Sequence, residues 1–338
     1  MAEPWSADHL RLHRRLRQRP ELLPPGATLL LAISGGQDSM ALLALLRDLS
    51  RLYHWSLQLW HGDHGWRAES AAQAAALAAW AQAQGLPLWL ERWPEPQAGE
   101  AAARQWRYGR LGEQARILGA SRVVTGHTSS DRAETLLLQL ARGSHRRGSG
   151  PRALRPLAAG VELARPLLVF SRADTGRLCR ELNQPVWQDS SNADPHFSRN
   201  RIRAEVLPVL EALHPGASAR LSALGERWEQ EEPAEAELEQ LALGSLLISR
   251  GTVSRQAEQR TQGLDRPGLM ALEAANRRRL LQRWLRLQSQ EPLPARQLEA
   301  LLQRLEPARG PGRHGLAGGC TLHWDRCSLW LAVAEERA

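Results

Sequence analysis

Between Thr28 and Arg142, short apolar runs alternate with stretches whose apolar residues recur every three to four positions. The short runs, Thr28–Ile33, Trp55–Trp60, Leu86–Glu91 and Ser121–Thr125, predict strands. The longer stretches, Asp38–Ser50, Glu69–Gln84, Glu100–Leu118 and Asp131–Arg142, predict helices, with Gly85 and Gly119 placed to stop two of them. Strand and helix in regular alternation predict an α/β fold: βα units on a doubly wound, mostly parallel sheet. Ligands of such a sheet collect at the carboxyl ends of its strands.

The alternation stops after Arg142, where RGSHRRGSGPRALRPL reads as a loop rich in Gly, Ser, Pro and Arg. An apolar stretch at Val161–Phe170, a helix near Arg172–Leu182, a mixed segment Trp187–Asn200 and a helix ending near Leu213 follow. Glu226–Glu239 carries seven glutamates around Pro233, so Pro215–Leu243 reads as a helical connector with a solvated charged face. Helices at Leu269–Leu287 and Pro294–Leu305, then a hairpin from Cys320–His323 and Ser328–Val333, complete the reading. The expected domains are residues 1–214, with a catalytic core at about 28–210, and a smaller, mainly helical C-terminal domain at 215–338.

Composition narrows this picture. A length of 338 residues suits about two domains. The longest apolar runs, such as Leu29–Ile33 and Met40–Leu46, are far below the roughly 18 residues of a membrane span. No membrane partner and a cytoplasmic location are expected. Cys179, Cys320 and Cys327 lack C-x-x-C spacing and fit a reducing compartment, so no disulfide, zinc or iron–sulfur site is expected. All 44 basic residues are arginine, against 36 acidic ones, giving a moderate +8. Where the arginines cluster therefore says more than the total.

The most informative chemistry lies in Ser34, Gly35, Gly36, Gln37, Asp38 and Ser39, between the first strand and its helix. Paired glycines let backbone approach a ligand, and the helix start turns free N–H groups and a positive dipole end toward it, which suits an anion. Ser34 and Ser39 add hydroxyl donors. A carboxylate at Asp38 in such a place is best explained by a bound divalent cation, Mg2+. No G-K-[ST] ending is present, which excludes a Walker loop.

SGGQDS in this position resembles the pyrophosphate-loop (PP-loop) ATPases, of adenine nucleotide alpha hydrolase-like fold, which cleave ATP to AMP and pyrophosphate and adenylate a substrate oxygen. Four further blocks resemble one group within them, the tRNA(Ile)-lysidine synthetases. His61–Arg67 (HGDHGWR) resembles H-V-D-H-G-L-R. Lining of the nucleotide site by His64 and Arg67, a metal site, and a hydrogen-bonded strand end remain open there. Glu100, Arg104, Arg107 and Tyr108 resemble E-x-x-x-R-x-x-R-Y, either as an i to i+4 pair or as substrate contacts. Gly126–Thr135 resembles G-H-H-x-D-D-q-A-E-T, with Thr128 in place of the second histidine and Ser130 in place of the first aspartate. Asp131 and Glu134, three apart at a helix start, share one face. Asp189–Asn192 with Arg199–Arg203 and Pro208 resembles D-x-S-N and R-N-x-I-R.

The resemblance implies ATP held by the loop and by His127, with Asp38, Asp131 and Glu134 catalytic. Glu100, Arg104, Arg107, Asp131, Glu134, Arg142, Arg199, Arg201 and Arg203 would meet substrate. The implied partners are L-lysine and a tRNA(Ile) with a CAU anticodon, with a homodimer as the assembly considered. The second appended C-terminal domain of longer members is expected to be missing. Arg142, Arg146, Arg147, Arg152 and Arg155 form a basic loop suited to RNA backbone. Three other readings compete: a tRNA-thiolating enzyme, disfavoured because no cysteine lies near a motif, an amidating synthetase, and a non-catalytic RNA-binding protein.

Overall fold

The computed structural model describes residues 5–66, 69–97, 99–143, 150–187, 198–254, 257–288 and 290–333. It divides into two compact units, Met1–Gln230 and Glu231–Ala338.

In the first unit, β1 (Thr28–Ala32), β2 (Ser56–Asp63), β3 (Leu88–Arg92), β4 (Arg122–Thr125), β5 (Leu154–Ala158) and β6 (Val161–Ala164) form one sheet in the order β3-β2-β1-β4-β6-β5. All neighbours are parallel except β5, which returns antiparallel on β6. Leu31 stands opposite Leu59 on one side and Val124 on the other, so β1 is the central strand. Alternation separates two cores. Leu29, Leu31 and Ile33 face α1 (Ala7–Gln18), α2 (Gln37–Tyr53), α3 (Ser70–Ala83) and α6 (Arg172–Glu181), while Leu30 and Val123 face α4 (Glu100–Ile117). The remaining helix after a strand is α5 (Ser129–Ala141), and a 3-10 turn, Pro166–Val169, precedes α6.

α1 was not among the expected elements. Its apolar stripe is narrow: His9, Leu12 and Leu16 are buried among arginines, and Ser6 caps the first turn in a reciprocal box with His9. β2 runs three residues past the expected Trp60, which makes His61 and Asp63 strand residues.

The chain continues through α7 (Ser198–Arg201), a π-turn at Ile202–Val206, α8 (Leu207–Leu213) and the long α9 (Ala217–Leu246). The second unit then adds β7 (Leu247–Ser254), β8 (Ala257–Asp265), α10 (Arg266–Ala271), α11 (Ala274–Leu287), α12 (Ala295–Arg304), β9 (Gly312–Gly315), β10 (Cys320–Trp324) and β11 (Ser328–Val333). Its five strands form an antiparallel sheet, β7-β8-β11-β10-β9. The expected helices and closing hairpin are there, and helix holds the larger share of the C-terminal unit; its five-stranded sheet was not expected. Leu247–Gly263 lacks the sustained apolar alternation that would have marked two of its strands. Arg266, buried in this unit, donates to the carbonyls of Leu305, Glu306, Arg309 and Asp325 and so ties its connections together. Among the described residues no helix is long and apolar enough to cross a membrane.

Candidate active site

β1 leads to β2 and β3 on one side, while β4 lies on its other side, so the strand order reverses between β1 and β4. The loops that leave these two strands meet there. Gly126, just after β4, lies so close to the start of α2 that a Cβ would stand 2.7 Å from the Asp38 carbonyl oxygen and 3.0 Å from the Ser39 nitrogen.

The loop after β1 is braced by its own serines. The Ser39 hydroxyl donates to the Gly36 carbonyl at 2.9 Å, and the Ser34 and Gly36 N–H groups donate to the Ser39 and Ser34 hydroxyls, each at 3.2 Å. Gly35 adopts φ +83°, and Trp187 donates its N–H to the Gly35 carbonyl while its ring covers the glycine. Gly36 caps α2 without a side chain, so no side chain competes for the first N–H groups of the helix. Gln37 turns away from the loop and donates to the Arg172 carbonyl and the Thr175 hydroxyl of α6. Asp38 accepts from Arg172 at 2.7 Å and from the Thr175 hydroxyl. Burial pushes the Asp38 pKa up, an effect that Arg172 and Thr175 oppose and nearby Asp131 reinforces. A cysteine does reach this loop, contrary to the sequence reading: the Cys179 thiol donates to the Gln37 carbonyl at 3.2 Å. Burial, with Asp38 adding to it, pushes that thiol up to about 11, so it stays protonated near neutrality.

Beyond β4, His127 bonds Thr125 at 2.9 Å. Its pKa is lowered by burial and by Arg165, against the pull of Asp131, which leaves the ring neutral. Thr128 caps α5 in a reciprocal box with Asp131, whose carboxylate accepts from the Thr128 N–H at 2.7 Å and hydroxyl at 2.8 Å. Burial would push Asp131 up, but Arg199 and these Thr128 bonds hold it below the usual range. Glu134, one helical turn on, is fully buried. Its oxygens accept from Arg199 at 2.7 Å and from Arg203 at 2.6 and 3.0 Å, and Arg199 also reaches Asp131 at 2.7 Å. Glu134 therefore does not open toward a ligand, as the sequence reading expected, but holds two arginines. Arg201 lies on another side, 61% exposed and paired with Glu205.

The other expected residues are more dispersed. His61 donates to the Ile33 carbonyl at 2.8 Å and is kept neutral by burial. Asp63 accepts from the Gly65 N–H. His64 packs among Trp66, Trp93 and Trp106, 5.1 Å from the last between ring centroids. Arg104 and Arg107 lie over Tyr108 on α4, and Arg142 is exposed at the end of α5. Arg67, His145, Arg146, Arg147 and Asp189–Asn192 lie outside the described residues, as does the side chain of Glu100. Among the described residues no three His, Cys, Asp or Glu side chains gather into a metal cluster.

Comparison with known proteins agrees with this architecture. Residues 10–210 match the PP-loop domain family, and residues 264–330 match the TilS substrate binding domain. A tRNA(Ile)-lysidine synthase of Parasynechococcus marenigrum is 52% identical over 98% of this chain and 96% of its own. The chain belongs to the tRNA(Ile)-lysidine synthase family. Another member, from Prochlorococcus marinus, is 40% identical over 97% of both chains. A U34-tRNA thiolase from Methanococcus maripaludis shares the fold, with a TM-score of 0.54 and 16% identity over 64% of this chain and 77% of that one.

Both departures from the lysidine synthase pattern have local partners. Thr128 supplies the helix cap. Ser130 accepts the N–H of Arg172 at 3.1 Å, which links α5 to the residue that holds Asp38. Sequence reasoning missed Arg172 and Thr175, which lie 134 and 137 residues from Asp38. It also missed Glu229: its carboxylate accepts from Arg132 at 2.9 Å and from the Ala153 N–H at 3.0 and 3.1 Å. The i, i+3 spacing of Glu226 and Glu229 was the available signal, hidden within a charge run.

Proposed function

We propose that this protein joins free L-lysine to carbon 2 of the wobble cytidine of tRNA(Ile) with a CAU anticodon, consuming ATP. The observation that carries this reading is the backbone approach at Gly126, which brings the anion-ready loop of β1 against the His127 and Asp131 segment of β4. The loop N–H groups bind the ATP phosphates, and the carbonyl oxygen at carbon 2 attacks the α-phosphorus as pyrophosphate leaves. The lysine ε-amine then adds to carbon 2 and AMP departs. Asp131, anionic and next to neutral His127, receives the ammonium and accepts the proton that the attacking amine loses. Glu134 acts through Arg199 and Arg203, keeping their charge beside Asp131.

Mg2+ suits this arrangement. It is commonly held by one or two carboxylates plus phosphate oxygens, and Asp38, 19% exposed and paired with Arg172, is the carboxylate at the loop that would hold it once Arg172 gives way. When bound there it neutralises charge on the triphosphate.

The test is transfer of radiolabelled lysine into a tRNA(Ile) transcript with a CAU anticodon, with Asp38→Ala as control. Label that enters tRNA with the native protein and not with the variant supports the reading. Pyrophosphate release with no label, driven by another tRNA or a small acid, would overturn the substrate.

A further inference from the structure

Arg172, the first residue of α6, is bound very differently along its main chain and at the end of its side chain. Its N–H donates to the Ser130 hydroxyl at 3.1 Å, and its carbonyl accepts from the Gln37 amide at 2.7 Å. The backbone is thereby tied to α5 and α2, the helices that leave β4 and β1. The guanidinium makes one hydrogen bond among the described residues, from Nη1 to Asp38 Oδ2 at 2.7 Å.

A guanidinium carries five N–H donors. Arg203 places two bonds on Glu134, Arg199 places one on Glu134 and one on Asp131, and buried Arg266 has four carbonyls. Arg172 leaves most of its donors to solvent, directly beside a loop whose N–H groups suit an anion. Its pair with Asp38 is partly open to water, 34% exposed on the arginine, and a pair of that kind has a small net strength. Asp38 Oδ1 already accepts from the Thr175 hydroxyl, so a metal ion that reaches this carboxylate contends with Arg172 for Oδ2.

We propose that Arg172 is an exchangeable cation: without nucleotide it neutralises Asp38, and when ATP arrives with its divalent ion it yields Oδ2 and turns its guanidinium onto the ATP phosphates. The inference rests on the reading of ATP and Mg2+ at this loop. The anchored main chain fixes the pivot, so the exchange needs only a side-chain rotation. A guanidinium released beside a triphosphate meets oxyanions that match its fork, and it adds positive charge that Asp38 no longer cancels. A fixed brace for Asp38 would need no donors left over.

The test is direct binding to the full-length protein without tRNA or lysine, for the native chain, Arg172→Gln and Arg172→Lys. Mn2+ stands in for Mg2+, with free Mn2+ read by electron paramagnetic resonance and bound radiolabelled ATP by equilibrium dialysis. Removing a weak competitor should tighten Mn2+ binding to nucleotide-free Arg172→Gln about two- to fivefold. Removing a charged hydrogen bond to phosphate should weaken ATP binding at saturating Mn2+ about tenfold or more. Arg172→Lys keeps the charge and loses the fork, so its Mn2+ constant should stay near native while ATP weakens by a smaller factor. Mn2+ binding that is unchanged or weaker in Arg172→Gln would overturn the exchange, since a brace for Asp38 gives that result. An unchanged ATP constant would overturn the phosphate contact. If Arg172→Gln does not fold, native constants for both ligands in Arg172→Lys would overturn the proposal in its place. A native protein that binds no ATP overturns the reading of the loop together with the inference, whereas native binding with indifferent variants overturns the inference alone.

Discussion

Glu134→Gln tests the architecture of the acidic pair. The native carboxylate is fully buried and accepts three hydrogen bonds from two arginines four residues apart. An amide offers one oxygen and turns an NH2 group toward a guanidinium. Breaking a buried ion pair from one side costs about 3–5 kcal/mol. Asp131 reduces that here, because it still accepts from Arg199 at 2.7 Å and lies 3.7 Å from Arg203. The expected loss is therefore about 3 kcal/mol, the low end of that range. For a unit of this size each kcal/mol is worth about 2–4 °C, so the first transition should fall by about 6–12 °C in calorimetry of the full chain. Combined with Arg203→Gln, the double variant should be less destabilised than the sum of the singles, by about 0.5–3 kcal/mol. A fall below about 2 °C, or strict additivity, would show that the clamp does not stabilise the fold.

Gly126→Ala should impair both stability and ATP use. The new methyl meets backbone at 2.7 Å, which no rotamer change relieves, so the fold should lose about 1–3 kcal/mol in urea denaturation and KM for ATP should rise about tenfold or more. His61 and His127 are both held neutral in the fold, so below about pH 6.5 the unfolded chain binds protons that the folded chain does not. Stability from these groups is complete above that pH and is lost as the pH falls. Melting should drop between pH 7 and 5.5, and a His61→Asn/His127→Asn variant should flatten at least half of that drop; an identical slope would refute the assignment. Glu229→Ala strands buried Arg132 and should cost about 3–5 kcal/mol, whereas exposed Glu231→Ala should stay within about 0.5 kcal/mol by urea denaturation.

The strands and helices from Thr28 to Arg142 were legible because short apolar runs alternate with long stretches of helix-forming residues, alanine-rich in α3, and each is bounded by glycine or polar residues. α1 was not, since its buried stripe is three residues wide among arginines. β7 and β8 escaped for a related reason: a polar ribbon carries no period to read. Within the site, SGGQDS marked the loop between β1 and α2, and the three-residue spacing of Asp131 and Glu134 put them on one face. What those carboxylates touch was not legible. Arg199 and Arg203 share a helical face and Arg201 does not, a distinction the spacing contained, but no local pattern announces which helix lies opposite. Arg172 and Thr175 look like any helix start, and only the chain's return after β6 sets them on Asp38.

The clamp on Glu134 also bears on how the chain is made. Its arginines lie 65 and 69 residues further along. At a synthesis rate of about 5–20 residues per second, α5 is complete roughly 3–12 s before they exist. During that interval Glu134 has no cation to face, and burying its charge alone is too costly for α5 to settle in its final depth. The acidic pair and its two arginines are therefore expected to enter the fold together, once Arg203 has been made.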